Sequence, residues 1–173
     1  MMLTETNHIL SRRVYPVFLS KIEAGYGFVV SHRFEGISSG SVIEIFAENP
    51  SDSGRVVYVI AAEVVSSGYA YIDIYRENTL VSSGTELIPA NLNFASAITS
   101  PCVIDYGGTY TAGTLVHSTL NVGGSKNFAV GGLAEVGESV VIPPGGNILL
   151  RVTNKADTTA DISVRFLWFE NKI

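Results

Sequence analysis

Residues 138–170, ESVVIPPGGNILLRVTNKADTTADISVRFLWFE, decide the fold of this chain. They read as an apolar strand, a turn at Pro143-Pro144-Gly145-Gly146, a second strand, a polar loop and a final strand. Ile148, Leu150 and Val152 alternate with Leu149, Arg151 and Thr153. Ile162, Val164, Phe166 and Trp168 alternate with Ser163, Arg165, Leu167 and Phe169. A period of two is what a pleated strand shows when one of its faces lies on a core. The series ending in Trp168 is therefore expected to point inward. Leu167 and Phe169 make the opposite face apolar too, so that face is expected to meet another layer or another subunit.

The same alternation recurs upstream. Gly25–Phe34 predicts a strand, and Ser41–Glu48 another, with Ile43, Ile45 and Ala47 opposite Glu44 and Glu48. Arg55–Val65 is so continuously apolar that burial on both faces is expected. In Tyr69–Arg76, Ala70, Ile72 and Ile74 face the core, and Tyr69, Tyr71, Asp73 and Tyr75 share the other side. Thr114–Leu120, Asn127–Ala134 and Val140–Ile142 are further short strands. Val14–Leu19, interrupted by Pro16, suits a strand edge or start.

Residues 77–111 are the least regular, broken by Ser82-Ser83-Gly84, Pro89, Pro101 and Gly107-Gly108, with one helical turn expected within Ala90–Ile98. A loop of this length inside a compact domain is usually functional or packed on a partner.

About eight to ten strands spaced by turn clusters argue a sandwich or barrel. Two stretches also match in outline: SVIEIFAEN before VVYVIAAE, and NILLRVTN before ISVRFLWFE. Two such pairs suit a jelly roll, which is built of two Greek keys. The expected fold is all-β: a single-domain antiparallel β-sandwich of jelly-roll topology over residues 14–173. A polar N-terminal arm, residues 1–13, precedes it and either frays or ties neighbouring subunits together.

Composition narrows the function classes. Charged residues make up 16% of the 173 residues, against roughly 25% in typical soluble proteins, and mean hydropathy is +0.29. The longest unbroken apolar run is the seven residues Val56–Ala62, whereas a spanning helix needs about 20. Membrane insertion is thus not expected. A globular protein that hides part of its surface against other subunits accounts for the values, and a monomeric Ser/Thr-rich β-domain is the alternative. The net charge of −5 has the wrong sign for coating nucleic acid. Cys102 is the single cysteine, so no intrachain disulfide forms. The first residues carry Glu5 and lack an apolar segment of signal-peptide type, so synthesis in a cytoplasm is expected.

No chemistry-bearing motif stands out. His8, His32 and His117 are far apart and form no His-x-His pair, so neither a metal site nor a cupin-like enzyme is expected, and no cofactor is implied. Gly123-Gly124-Ser125-Lys126 lacks P-loop spacing. Cys102 after Pro101 reads as a small buried hydrophobe and not as a nucleophile. The expectation is a chain with no catalytic residues.

Two features remain. Tyr69, Tyr71 and Tyr75, with Asp73 among them, form an aromatic stripe suited to an interface or to sugar stacking, unless the chain's own long loop covers it. Leu167 and Phe169 form the second. With Phe94 from the apolar-rich loop, these residues are the candidate interface.

The run VVIPPGGNILLRVTN followed by ISVRFLWFE, and the segment SSGTELIPANLNFASAIT, resemble small jelly-roll structural proteins of tailed viruses over residues 40–170. Such a resemblance implies a homotrimeric capsid decoration or minor capsid protein, residing in the virion and contacting the major capsid protein or other virion proteins. A carbohydrate- or receptor-binding module of a tail or fibre is the second expectation.

Overall fold

The computed structural model describes residues 17–123 and 140–173. The arm expected at residues 1–13 and the strand expected at Asn127–Ala134 lie outside the described residues. Among the described residues, thirteen strands follow a short helix at residues 17–23. They are β1 (Gly27–Ile37), β2 (Val42–Glu48), β3 (Arg55–Ser66), β4 (Ala70–Arg76), β5 (Thr79–Ser82), β6 (Thr85–Glu86), β7 (Ala90–Asn91), β8 (Val103–Tyr106), β9 (Thr109–Thr111), β10 (Thr114–Asn121), β11 (Val140–Ile142), β12 (Asn147–Asn154) and β13 (Ala160–Lys172).

The expected all-β sandwich is what these strands build. One sheet has the order β11-β3-β13-β1-β7 and the other β10-β4-β12-β2-β8-β6, all pairings being antiparallel. The long strands alternate between the sheets: β1, β3, β11 and β13 lie in the first, and β2, β4, β10 and β12 in the second. Inward side chains of both sheets, among them Ile45, Ile72, Leu150, Ile162, Val164 and Phe166, form one core. Trp168 is 2% exposed and stacks on Phe28 at 5.9 Å between centroids, as the alternation predicts.

The two stretches that match in outline occupy matching places. β2 pairs with β12, and β3 with β13. Asn49 follows β2 and Asn154 ends β12, and both are fully buried at the turn into the opposite sheet. The Asn49 side-chain amide donates to the carbonyls of Arg55 and Ile142 at 2.8 and 3.0 Å. That of Asn154 donates to the carbonyls of Ile37 and Thr158 at 2.8 and 3.0 Å. A buried amide keeps its place by such bonds, because leaving it unpaired is costly. Asn78 after β4 and Asn121 at the end of β10 play the same part: their side chains reach the carbonyls of Tyr75 and Val64.

Several expectations are corrected. Of Val14–Leu19, residues 17–19 belong to the helix and not to a strand edge. The helix ends in the glycine motif of helix C-termini: Gly25 has φ +80°, Tyr26 N donates to the Lys21 carbonyl and Gly25 N to that of Ile22. Gly27 then lets the helix lie close, since a Cβ there would sit 2.6 Å from Ile22 Cγ1. Ala90–Ile98 holds no helix, only a tight turn closed by Ser96 N donating to the Asn93 carbonyl at 2.9 Å. Its first two residues pair with β1, and Asn91 and Asn93 fold the rest by accepting hydrogen bonds from the backbone two residues on.

β3 is not buried on both faces either. Val57, Val59, Ala61, Val64 and Ser66 are buried, but Tyr58, Ile60 and Glu63 are half-buried and Val65 is exposed. A register shift opposite Leu167/Trp168 resets its alternation. Finally, the irregular stretch 77–111 contains five short strands, β5 to β9.

Candidate functional site

The outer face of the β10-β4-β12-β2 sheet is built in rows, because the strands are in antiparallel register. Val42, Thr153, Tyr71 and Leu120 lie opposite one another across the four strands. Glu44, Arg151, Asp73 and Ser118 make the next row, and Phe46, Leu149, Tyr75 and Leu115 the third. A polar row therefore runs between two rows of mainly apolar and aromatic residues.

The third row is largely covered by the chain itself. β5 and β9 pair into a small ribbon. Tyr110 from it stacks on Phe46 at 5.4 Å, closing a second small core with Leu149, Leu80 and Tyr75. Tyr110 donates a short hydrogen bond to the buried Asp105. Burial, and then that bond, hold the Tyr110 phenol above its ordinary value. The loop thus covers Tyr75, as one of the two expectations for the tyrosine stripe has it. Tyr71 remains 43% exposed, with Tyr69 set edge-on to it at 5.5 Å.

The polar row is tied together. Arg151 Nε and Nη2 donate to Glu44 Oε1 at 2.8 and 2.7 Å, and its guanidinium lies 5.0 Å from the Tyr75 ring centroid. Burial works against the Arg151 charge, but the bond to Glu44 and its carboxylate charge outweigh it and raise the arginine above its ordinary value. Ser118 Oγ donates to Asp73 Oδ1 at 2.6 Å. Lys155 Nζ sits 5.3 Å over the Tyr71 ring. With Phe34, Tyr106 and the Gly107-Gly108 turn as a wall, this row floors a concavity of about 820 Å³.

The other candidate interface residues lie elsewhere. Leu167 and Phe169 are half-buried on the outer face of the β3-β13-β1 sheet. Phe169 stacks on Tyr58 at 4.8 Å and meets Phe18 of the helix at 6.4 Å, so the further layer expected over it is in part the chain's own helix. Phe94 is 94% exposed on the loop after β7. The fold therefore brings the three tyrosines together and sets them apart from Phe94, Leu167 and Phe169.

Sequence reasoning missed one cluster. Glu170 continues the inward series past Trp168 and is fully buried. It accepts from Arg55 Nη1 and Ser100 Oγ, each at 2.5 Å, and from Trp168 Nε1 at 3.1 Å. Cys102 Sγ lies 3.9 Å away, and burial pushes its thiol up to about 12. A thiol so hard to ionise is a poor nucleophile, so the cluster reads as a tie between the 99–102 segment and the sandwich. The signal was present: period two places residue 170 on the same face as Trp168.

Of the histidines, His32 stacks on Tyr106 at 4.4 Å and His117 stands exposed on β10; His8 is outside the described residues. Among the described residues no group of three His, Cys, Asp or Glu side chains is placed to hold a metal ion, and no helix is long and apolar enough to cross a membrane. Compared with known proteins, the chain matches no family model and no curated protein.

Proposed function

We propose that this chain is a non-enzymatic virion structural protein, a capsid decoration or minor capsid component that works through subunit contacts, most simply as a homotrimer. The observation that carries the reading is the placement of exposed apolar side chains at two opposite edges of the sandwich. One edge is β10, uncharged and, among the described residues, the outermost strand of its sheet, showing Leu115, Val116 and Leu120. Exposed edge strands are normally blunted by charge or proline, and TLVHSTLN contains neither. The other edge is the side of β6, β7 and β8, where Ile88 is 74% and Phe94 94% exposed.

Two different sticky edges on opposite sides of one subunit suit a head-to-tail contact, which closes into a ring when the rotation permits. The strand orders β1-β13-β3-β11 and β2-β12-β4-β10 support reading the sandwich as a jelly roll, in keeping with the resemblance to structural proteins of tailed viruses. On this reading the protein is made in a host cytoplasm and resides in the virion, against the major capsid protein or its neighbours. The test is co-purification. The protein should band with intact particles at a fixed copy number; finding it only in the soluble fraction of lysed hosts overturns the reading.

A further inference from the structure

The geometry points to a binding groove for a neutral saccharide on the outer face of the β10-β4-β12-β2 sheet. It goes beyond the assembly reading and does not depend on it, since the groove lies on a sheet face between the two apolar edges. Its volume, about 820 Å³, falls within the range of small-molecule sites, roughly 300–1,000 Å³.

The charges decide the ligand class. Glu44 and Asp73 are balanced by Arg151 and Lys155 around the groove. Arg151 is already engaged by Glu44 and the exposed Lys155 lies over the Tyr71 ring; with two acids set against two bases, the groove carries no net charge that would favour an anionic ligand. Asp73 is different. Ser118 donates to its Oδ1, and no donor among the described residues reaches Oδ2. A carboxylate oxygen so placed accepts from hydroxyl groups. The Thr153 hydroxyl lines the same groove and serves as donor or acceptor.

The wall supplies an apolar surface. Tyr106 is fixed by His32, stacked at 4.4 Å, and by Phe34, edge-on at 5.2 Å. With one face stacked on His32, this fixed ring lines the groove and offers apolar contact to the C–H side of a sugar at little cost in conformational freedom. Hydroxyl acceptors on the floor and a fixed aromatic on the wall match a polyhydroxylated ring of no net charge.

Saturation-transfer NMR on the full chain tests the groove, with the methyl glycosides of glucose, galactose and mannose as probes. N-acetylneuraminic acid and glucosamine serve as charged comparisons. At least one neutral glycoside should receive saturation, with a Kd in the roughly millimolar range. Asp73→Ala should weaken it about tenfold or more, and Thr153→Val should weaken it also, a tenfold loss being about 1.4 kcal/mol. If Asp73→Ala fails to fold, Thr153→Val alone decides. The proposal is overturned if no neutral glycoside receives saturation, if a charged sugar binds more tightly, or if the variants that fold bind as the parent does. Subunit mass, measured on the same samples, reports on the assembly reading separately.

Discussion

The Glu170 carboxylate, wholly withdrawn from solvent, lies 2.5 Å from the Arg55 guanidinium. Arg55 opens β3 and Glu170 stands near the end of β13, and the antiparallel register of these strands brings them together. The same guanidinium donates to the Thr99 carbonyl at 3.0 Å, while Ser100 and Trp168 donate to the carboxylate. One buried acid thus joins two strands and the 99–102 segment. Removing one partner of such a pair leaves a buried charge uncompensated, at a cost of about 3–5 kcal/mol. Arg55→Ala, which leaves the fully buried Glu170 carboxylate without its cation, should lower the urea midpoint accordingly with the slope unchanged. A loss below about 1 kcal/mol, the range of exposed pairs, would show that water already screens this one.

Trp168 and Phe94 make a contrasting pair. Trp168→Ala should cost about 3–5 kcal/mol, because the cavity opens beneath Phe28 in the packed core. Phe94→Ala should change the stability of the isolated subunit by no more than about 0.5 kcal/mol, since the ring touches little of its own chain. Thermal melts of the two variants check both assignments. Equal losses would mean that the loop after β7 packs on its own sandwich.

The Cys102 thiol is raised from 9.0 to about 12, so the folded protein disfavours its thiolate. The sign follows from linkage: the contribution is fully present below pH 9.0 and is lost as pH rises toward 12. Native protein at pH 8 should therefore react slowly with a disulfide reagent, and urea-unfolded protein quickly. Equal rates would contradict the burial of Cys102 against Glu170.

Much of the sandwich was legible because period two survives wherever one face is buried. β2, β4, β12 and β13 lie within a residue or two of the expected bounds at most ends, with the expected faces. What escaped depends on contacts remote in sequence. The helix at residues 17–23 has an apolar run too short to show its period, and it is held by Phe169 from the far end of the chain. The short strands of 77–111 pair with β1, β2 and each other over two to four residues, too few to leave an alternation. Tyr71 and Asp73 were visible as one face of one strand, of which Asp73 lines the groove. Their neighbours Glu44 and Arg151 come from strands distant in sequence, and only the register places them in the same row.

The corner asparagines supply a further test. Asn154 is fully buried, donates two hydrogen bonds to backbone carbonyls and accepts one from Ala156 N. Asn154→Ala leaves those backbone groups without their partner and should cost about 1–3 kcal/mol. Asn154→Asp should do no better, because a carboxylate cannot donate to Ile37 and Thr158. Recovery of full stability by the aspartate variant, read from urea denaturation at neutral pH, would refute the assignment of the amide as donor.

The central claim is that apolar edges on opposite sides of the sandwich join copies of this chain. Light scattering coupled to size-exclusion chromatography, at micromolar concentration, tests it most directly. The account predicts a particle of three times the chain mass of 18.5 kDa, and a shift toward the single-chain mass in Phe94→Ser with its fold intact. A parent protein that elutes as a clean 18.5 kDa monomer, without any partner added, would contradict it.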